Sequence, residues 1–407
     1  MTGPLEGIRV LDFTRVLSGP HATRMLCDLG ADVIKVEPPA GDMTRFSTPR
    51  RHGIATYFAQ QNAGKRNVSI DLSRPEGAEL ARRLAERCDV VVENYRPGVM
   101  ARLGLDFATL SPRNPRLVYA SITGYGSTGP WVNRRAYAPV VGAETGVTKA
   151  QGDARGGHYA NDPHSHADVY TSLEAASAVL AALYQRERTG TGQWIDVSMA
   201  ETMLYVNEHL HDQLYDGPVE PDWIRSFRPG EYLVFTVASG ELVVVSGHPA
   251  ERGTFELFVR ALGLVHLADD ARFVDVAARL EHIDELRRLM LDAATAIPDA
   301  ATFEERFAEH RLAVGVLRSA RELAESPWAE ARGAIVEVSD RAGGTIRVPN
   351  APWRFSDADA ALRGEPRYRG EDNRAVLREL LDENDEAIER LERDGILSSR
   401  VPVAPPT

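Results

Sequence analysis

The chain has 407 residues, 43% hydrophobic and 26% charged, enough for a large core and two domains. Its net charge of −12 argues against a general nucleic-acid binder, which carries a basic face, but leaves room for a local basic pocket for a phosphorylated ligand. Two cysteines, Cys27 in a helix pattern and Cys88 before an apolar strand, read as small buried hydrophobes and exclude a disulfide framework or a metal cluster. From the N-terminus, Ile8–Phe13 is a strand, Ser18-Gly19-Pro20 opens a helix to about Leu29, and Gly30 stops it. Asp32–Glu37 and Val68–Leu72 are further strands. Ser73-Arg74-Pro75-Glu76 has the form of a capping box before a helix to about Arg87. Asp89–Glu93 and Leu117–Thr123 are strands again, and this alternation over the first 125 residues implies an α/β unit with a parallel sheet and helices on its faces.

An irregular stretch from Gly152 to Ala167 gives way to a long helix, Asp168–Arg188, with apolar positions at Val169, Leu173, Ala176, Leu180 and Leu183. Trp194–Met199 follows as a strand. Asp216-Gly217-Pro218 and Arg228-Pro229-Gly230 are breaks. Tyr232–Val237 and Glu241–Ser246 flank Ala238-Ser239-Gly240, a hairpin signal. Helical patterns at 251–262, 281–296 and 302–312 complete a smaller domain, placed at 220–325. Ala334–Val348 reads as β and Asn373–Arg393 as one helix; residues 326–407 return to the large domain of residues 1–215. No basic leader with an apolar core opens the chain, and no apolar run reaches the ~18 residues of a membrane span, so a cytoplasmic protein is expected.

Asp168 stands at the start of its helix. Asp is a preferred N-cap, yet a carboxylate beside free backbone N–H groups is also a candidate covalent nucleophile. The local residues leave both readings open. His164-x-His166-x-Asp168 lacks the further ligands a metal needs, and the histidines read as polar loop residues, so no metal is expected. The first βα turn, Thr14-Arg15-Val16-Leu17-Ser18-Gly19-Pro20, is not the glycine fingerprint of a dinucleotide site, and no phosphate-loop or Gly-x-Ser-x-Gly motif occurs; nicotinamide and flavin cofactors are therefore not expected. Arg45, Arg96 and Arg102 fall at or just beyond strand ends, where parallel sheets bind ligands, and together suggest a pocket for phosphate oxygens. Only three of the 47 cationic residues are lysines, Lys35, Lys65 and Lys149, which singles each of them out.

The run from Leu5 through Asp12-Phe13, then Ser18-Gly19-Pro20 and Asp28-Leu29-Gly30-Ala31-Asp32-Val33-Ile34-Lys35-Val36-Glu37, resembles the opening of the family III CoA-transferases, the CaiB/BaiF or formyl-CoA transferase family. The likeness continues through Gly41-Asp42-Met43-Thr44-Arg45, Lys65-Arg66, Glu93-Asn94-Tyr95-Arg96-Pro97-Gly98, Arg102-Leu103-Gly104, Gly124-Tyr125-Gly126, Asp168, Thr189-Gly190-Thr191-Gly192-Gln193 and Asp196-Val197-Ser198-Met199. It implies a Rossmann-like large domain, a smaller α+β domain and a homodimer of interlocked subunits. It also implies transfer of CoA from an acyl-CoA to a free carboxylic acid through aspartyl anhydride and aspartyl-CoA thioester intermediates, with Asp168 as nucleophile. By the same resemblance Val16, Arg45, Lys65, Asn94, Arg96, Arg102 and Tyr137 contact coenzyme A. Partners are then acyl-CoA, a small carboxylic acid and a second copy, with neither nucleic acid nor membrane. Leu17 replaces a Gln of the formyl-CoA transferases, and no glycine-rich loop lies at 220–250, which argues against formate and oxalate.

Two other functions compete. The α-methylacyl-CoA racemase branch moves an α-proton with a His and an Asp, and its His falls near Ala136–Tyr137, where this chain has none. A non-catalytic acyl-CoA binding protein would have no use for Asp168.

Overall fold

The computed structural model describes residues 2–215 and 227–400; the break expected at Asp216–Pro218 lies outside them. Six parallel strands form the main sheet: β1 (Arg9–Asp12), β2 (Asp32–Glu37), β3 (Arg66–Ser69), β4 (Val90–Glu93), β5 (Val118–Thr123) and β6 (Trp194–Ser198). Their order is β3-β2-β1-β4-β5-β6, the doubly wound arrangement of nucleotide-binding sheets. Successive strand residues point to opposite faces. Leu11, Val91 and Tyr119 enter one core with Leu80, Leu84, Val376 and Leu377. Val10, Val90, Val92, Val118 and Ile122 enter the other, with Leu26, Ala175, Val179 and Leu183. The strand order reverses between β1 and β4, and ligands of such sheets bind in the crevice at the carboxyl ends there.

Helices α1 (Ser18–Asp28), α2 (Thr56–Asn62), α3 (Pro75–Ala85), α4 (Ala138–Glu144) and α5 (His166–Thr189) belong to the same unit. The expected capping box at Ser73 does not form. The Ser73 hydroxyl donates to Asp71 instead, and α3 starts at Pro75 without a side-chain cap. In α5 the expected apolar stripe is corrected. Thr171, Ser172, Ala175, Ala176, Val179, Ala182 and Leu183 are buried, whereas Leu173, Leu180 and Tyr184 are exposed. Small side chains let α5 lie close to the sheet and to α1, where Ser172 Oγ donates to Ser18 O at 2.6 Å. The helix expected over Asn373–Arg393 is two, α6 (Asn373–Leu381) and α7 (Asp385–Arg393). Asp382 takes a left-handed φ of 55° between them, and Asn384 caps the second.

A second compact unit comprises Ala150–Tyr159 and the described part of Asp212–Ser326. It holds the antiparallel strands β7 (Val234–Thr236), β8 (Leu242–Val245) and β9 (Val314–Val316), with β8 central. Phe235, Phe255, Phe258, Phe273, Phe303 and Phe307 fill its core, Phe303 stacked on Phe307 at 4.1 Å. Back in the first unit, β10 (Ile335–Ser339) and β11 (Thr345–Pro349) pair as a hairpin. Among the described residues no helix is long and apolar enough to cross a membrane.

Candidate active site

Asp12, the last residue of β1, anchors the floor of the site. Its carboxylate accepts from Thr14 N–H (2.8 Å), the Thr23 hydroxyl (2.6 Å) and Lys65 Nζ (3.1 Å). Lys65 also donates to Pro20 O, Thr23 Oγ1 and Asn62 Oδ1, all within 2.9 Å. Lys35 Nζ donates to Thr14 O at 2.7 Å and pairs with Asp42 at 3.2 Å. Glu37 receives Asp42 N–H at 2.9 Å and the Arg45 guanidinium at 2.7 and 2.8 Å. These are six charged side chains, alternating in sign and almost wholly removed from water. Burial opposes ionisation of Asp12, but Lys65 and Lys35 outweigh it and hold the carboxyl at about 2. Against the same cost, Arg45 and Lys35 hold Glu37, and Lys35 and Thr44 hold Asp42, below the usual carboxylate range.

This network carries the β1–α1 loop. Val16 N–H donates to Asp42 at 3.3 Å. Arg15 N–H donates to Asn94 Oδ1, and Asn94 Nδ2 donates to Arg15 O, each at 2.8 Å. So gripped, the loop holds Val16 at φ 68°, a conformation costly for a β-branched residue. Gly19 lets the first turn of α1 descend onto the loop, since a β-carbon there would stand 2.2 Å from Thr14 Cβ.

Above the loop is a cleft of about 490 Å³ at the point where the strand order reverses. Among the described residues Asp168 is the one carboxylate in its lining. It is not the N-cap of α5; Ser165 holds that position and Asp168 lies in the first turn. Burial raises its carboxyl above the usual range, and hydrogen bonds from the Ser18 hydroxyl, the Ser18 N–H and the Ala138 N–H offset part of that effect. Ser18 and Ala138 begin α1 and α4, so free N–H groups of two helix starts face the carboxylate. Among the described residues no cation takes part. Such a carboxylate is more basic than an ion-paired one, which favours covalent attack. Burial and the Asp168 carboxylate push the Tyr57 phenol, also in the lining, up to about 12, so it stays an O–H donor.

Of the residues expected to meet CoA, Val16, Asn94, Arg96 and Tyr137 line this cleft and Arg45, Lys65 and Arg102 do not. Lys65 is spent on four internal oxygens. Arg45 lies over Phe58 at 3.7 Å and borders a separate cleft of about 440 Å³ with Arg50, Arg369 and Arg400. Arg102 is exposed at the end of a four-residue helix, Val99–Arg102. Asn94 is engaged by the loop backbone, which makes it a brace for that loop. Arg96 also borders a cleft of about 300 Å³ with Glu93, Phe107 and Trp194. His166 pairs with Asp162 and stacks on Tyr170. The sequence reading missed Ser18, Tyr57 and Ala138 as neighbours of Asp168. Only Ser18, opening a helix after the first strand, carried a local signal.

The profile of CoA-transferase family III matches residues 5–373. The chain is 33% identical to the succinyl-CoA:glutarate CoA-transferase of Mus musculus, over 97% of this chain and 90% of the relative. It is 31% identical to a formyl-CoA:oxalate CoA-transferase of Streptomyces avermitilis, over 98% of this chain and all of the relative. A crystal structure of a CaiB/BaiF family protein from Brucella suis superposes with a TM-score of 0.79 at 31% identity, covering 93% of this chain and 100% of that one.

Proposed function

The chain belongs to CoA-transferase family III and is a transferase, and from that premise we propose that it moves CoA between an acyl-CoA and a free carboxylic acid with Asp168 as the covalent nucleophile. The observation that carries this is a carboxylate in a cleft, made more basic by burial, faced by two backbone N–H groups and paired with no cation. Asp168 attacks the thioester carbonyl, the C–S bond breaks and CoA leaves as thiolate, giving a mixed anhydride. The thiolate attacks the aspartyl carbonyl and expels the first acid as its carboxylate. The acceptor carboxylate then displaces CoA from the aspartyl thioester. CoA attacks the acceptor's carbonyl in the new anhydride, which frees Asp168. No proton is gained or lost over the cycle, and the acyl group stays activated so long as water is kept out. The Ser18 and Ala138 N–H groups orient the carboxylate and receive its charge each time it is released.

Arg96 and Tyr137 are the positions we assign to CoA contact in the cleft, with Val16 and Asn94 shaping its wall; Arg45, Lys65 and Arg102 enter only as support for that wall or for CoA outside it. The working unit in this reading is a homodimer in the cytoplasm, each chain divided into a large domain and a small one. The exposed Leu173, Leu180 and Tyr184 on one face of α5 support a second copy. The test is to incubate the protein with pooled acyl-CoAs and acids, follow CoA exchange by mass spectrometry and trap intermediates with hydroxylamine. A hydroxamate at Asp168 is expected; a trap at another carboxylate, or α-deuterium wash-out without exchange, overturns the reading.

A further inference from the structure

Arg15 is a guanidinium in the cleft to which the reaction above gives no task. It lies on the β1–α1 loop, three residues before Ser18, whose hydroxyl and N–H face Asp168. Its backbone is fixed on both sides by Asn94, and its neighbour Val16 is locked at positive φ. Its side chain, by contrast, carries one unsatisfied donor. Arg15 Nε is buried with no hydrogen-bond partner among the described residues. A desolvated donor left without an acceptor is costly, and in native proteins such a group signals a missing partner. Asp168 is not that partner: burial, Ser18 and Ala138 set its carboxyl, with no contribution from a cation. Asp168 is also the only carboxylate lining the cleft among the described residues.

A guanidinium in the lining of the nucleophile's cleft, its Nε without a partner among the described residues, is placed to receive an anion brought by the substrate. Two sources exist, a carboxylate on the acyl chain and a phosphate of CoA. The thioester has to sit at Asp168 in this reading, so the phosphates lie a full pantetheine arm away, where we assign Arg96 to them. In this reading the acyl chain lies beside the β1–α1 loop, whose Ser18 faces Asp168. We propose that Arg15 is a specificity-determining residue that pairs with the second carboxylate of a dicarboxylic substrate, so that the acids exchanged are short dicarboxylic acids. This rests on Asp168 being the nucleophile.

The test uses the full chain and substrates matched in length: succinyl-CoA against butyryl-CoA as donors, succinate against butyrate as acceptors. Wild type is expected to favour the dicarboxylic partner in kcat/KM. Arg15→Gln is expected to lower that preference roughly ten- to hundredfold, the usual effect of losing a charge-assisted hydrogen bond, with partial recovery in Arg15→Lys. Inhibition by free CoA is expected to move by less than about twofold, since Arg15 touches no phosphate in this account. A wild-type preference for butyryl-CoA overturns the proposal even if the variants fail to fold. So does an equal loss on both substrates in a folded Arg15→Gln, or a parallel loss of free-CoA inhibition, which assigns the residue to the CoA phosphates. Absence of any Asp168 hydroxamate in wild type, whichever acid is offered, instead removes the nucleophile reading beneath it.

Discussion

The floor under the β1–α1 loop and the cleft above it are built from the same residue types to opposite ends. In the floor every charge has its opposite within hydrogen-bond reach: Asp12 with Lys65, Lys35 with Asp42, Glu37 with Arg45. Its carboxyls are held low. In the cleft no cation among the described residues offsets the burial of Asp168, which is raised, and Arg15 has a buried donor with no partner among them. Glu93, 6% exposed at the end of β4, follows the cleft's rule. Burial, with no cation beside it, pushes its carboxyl up to about 7 despite hydrogen bonds from Ser121 and Tyr95 N–H. The contrast teaches that a buried charge fully paired becomes scaffold, whereas a buried charge left unpaired is available for chemistry.

The largest effect expected from breaking this contrast is at Asp168. Asp168→Ala should lower CoA exchange at least about a thousandfold, as removal of a covalent nucleophile does, with the melting temperature held or raised, because no ion pair is lost; mass spectrometry and calorimetry check the two halves. Lys65→Met should do the reverse, costing about 3 kcal/mol or more of stability by stranding Asp12, read from urea unfolding. Glu93 sharpens the comparison through pH. Its folded pKa lies above its unfolded value, so the stability it lends is full below about 4.5 and is lost as pH rises through about 7. Glu93→Gln should remove that slope and leave the protein about 2 kcal/mol more stable than wild type at pH 8, with little difference at pH 4.5, in paired denaturant titrations. The smallest effect belongs to Val16→Gly. Relief of the positive φ should offset the lost side chain to within about 1 kcal/mol, while a looser loop lowers kcat more than it changes KM.

Short-range physics made much of this legible beforehand. Strand signals alternating with helix signals marked the strands of the main sheet, and an irregular stretch before a helix marked Asp168. The failures share one cause, competition between partners that only the folded backbone decides. Arg45 and Lys65 look like ligand-binding cations at strand ends; the short helix after β2 turns Arg45 back onto Glu37, and only the pairing of β1 with β2 and of β2 with β3 brings Lys65 to Asp12. Lys65 and Asp12 are 53 residues apart. Ser73 looks like a cap until Asp71 captures its hydroxyl. In α5 the large apolar residues suggested the core face, but the tight approach of α1 selects Ala175, Ala176 and Ala182. Arg15 drew no notice, because a buried donor without a partner is visible only once the fold has closed around it.

The grip on the β1–α1 loop has an evolutionary corollary. Asn94 and Asp42 hold the segment through its amide groups. They are therefore indifferent to which side chains positions 15 and 17 display. Arg15 can be exchanged without redrawing the loop that presents it, so under the assignment proposed above the choice of acid is free to drift over an unchanged reaction centre. A lineage of enzymes can diverge in diet while inheriting one machine.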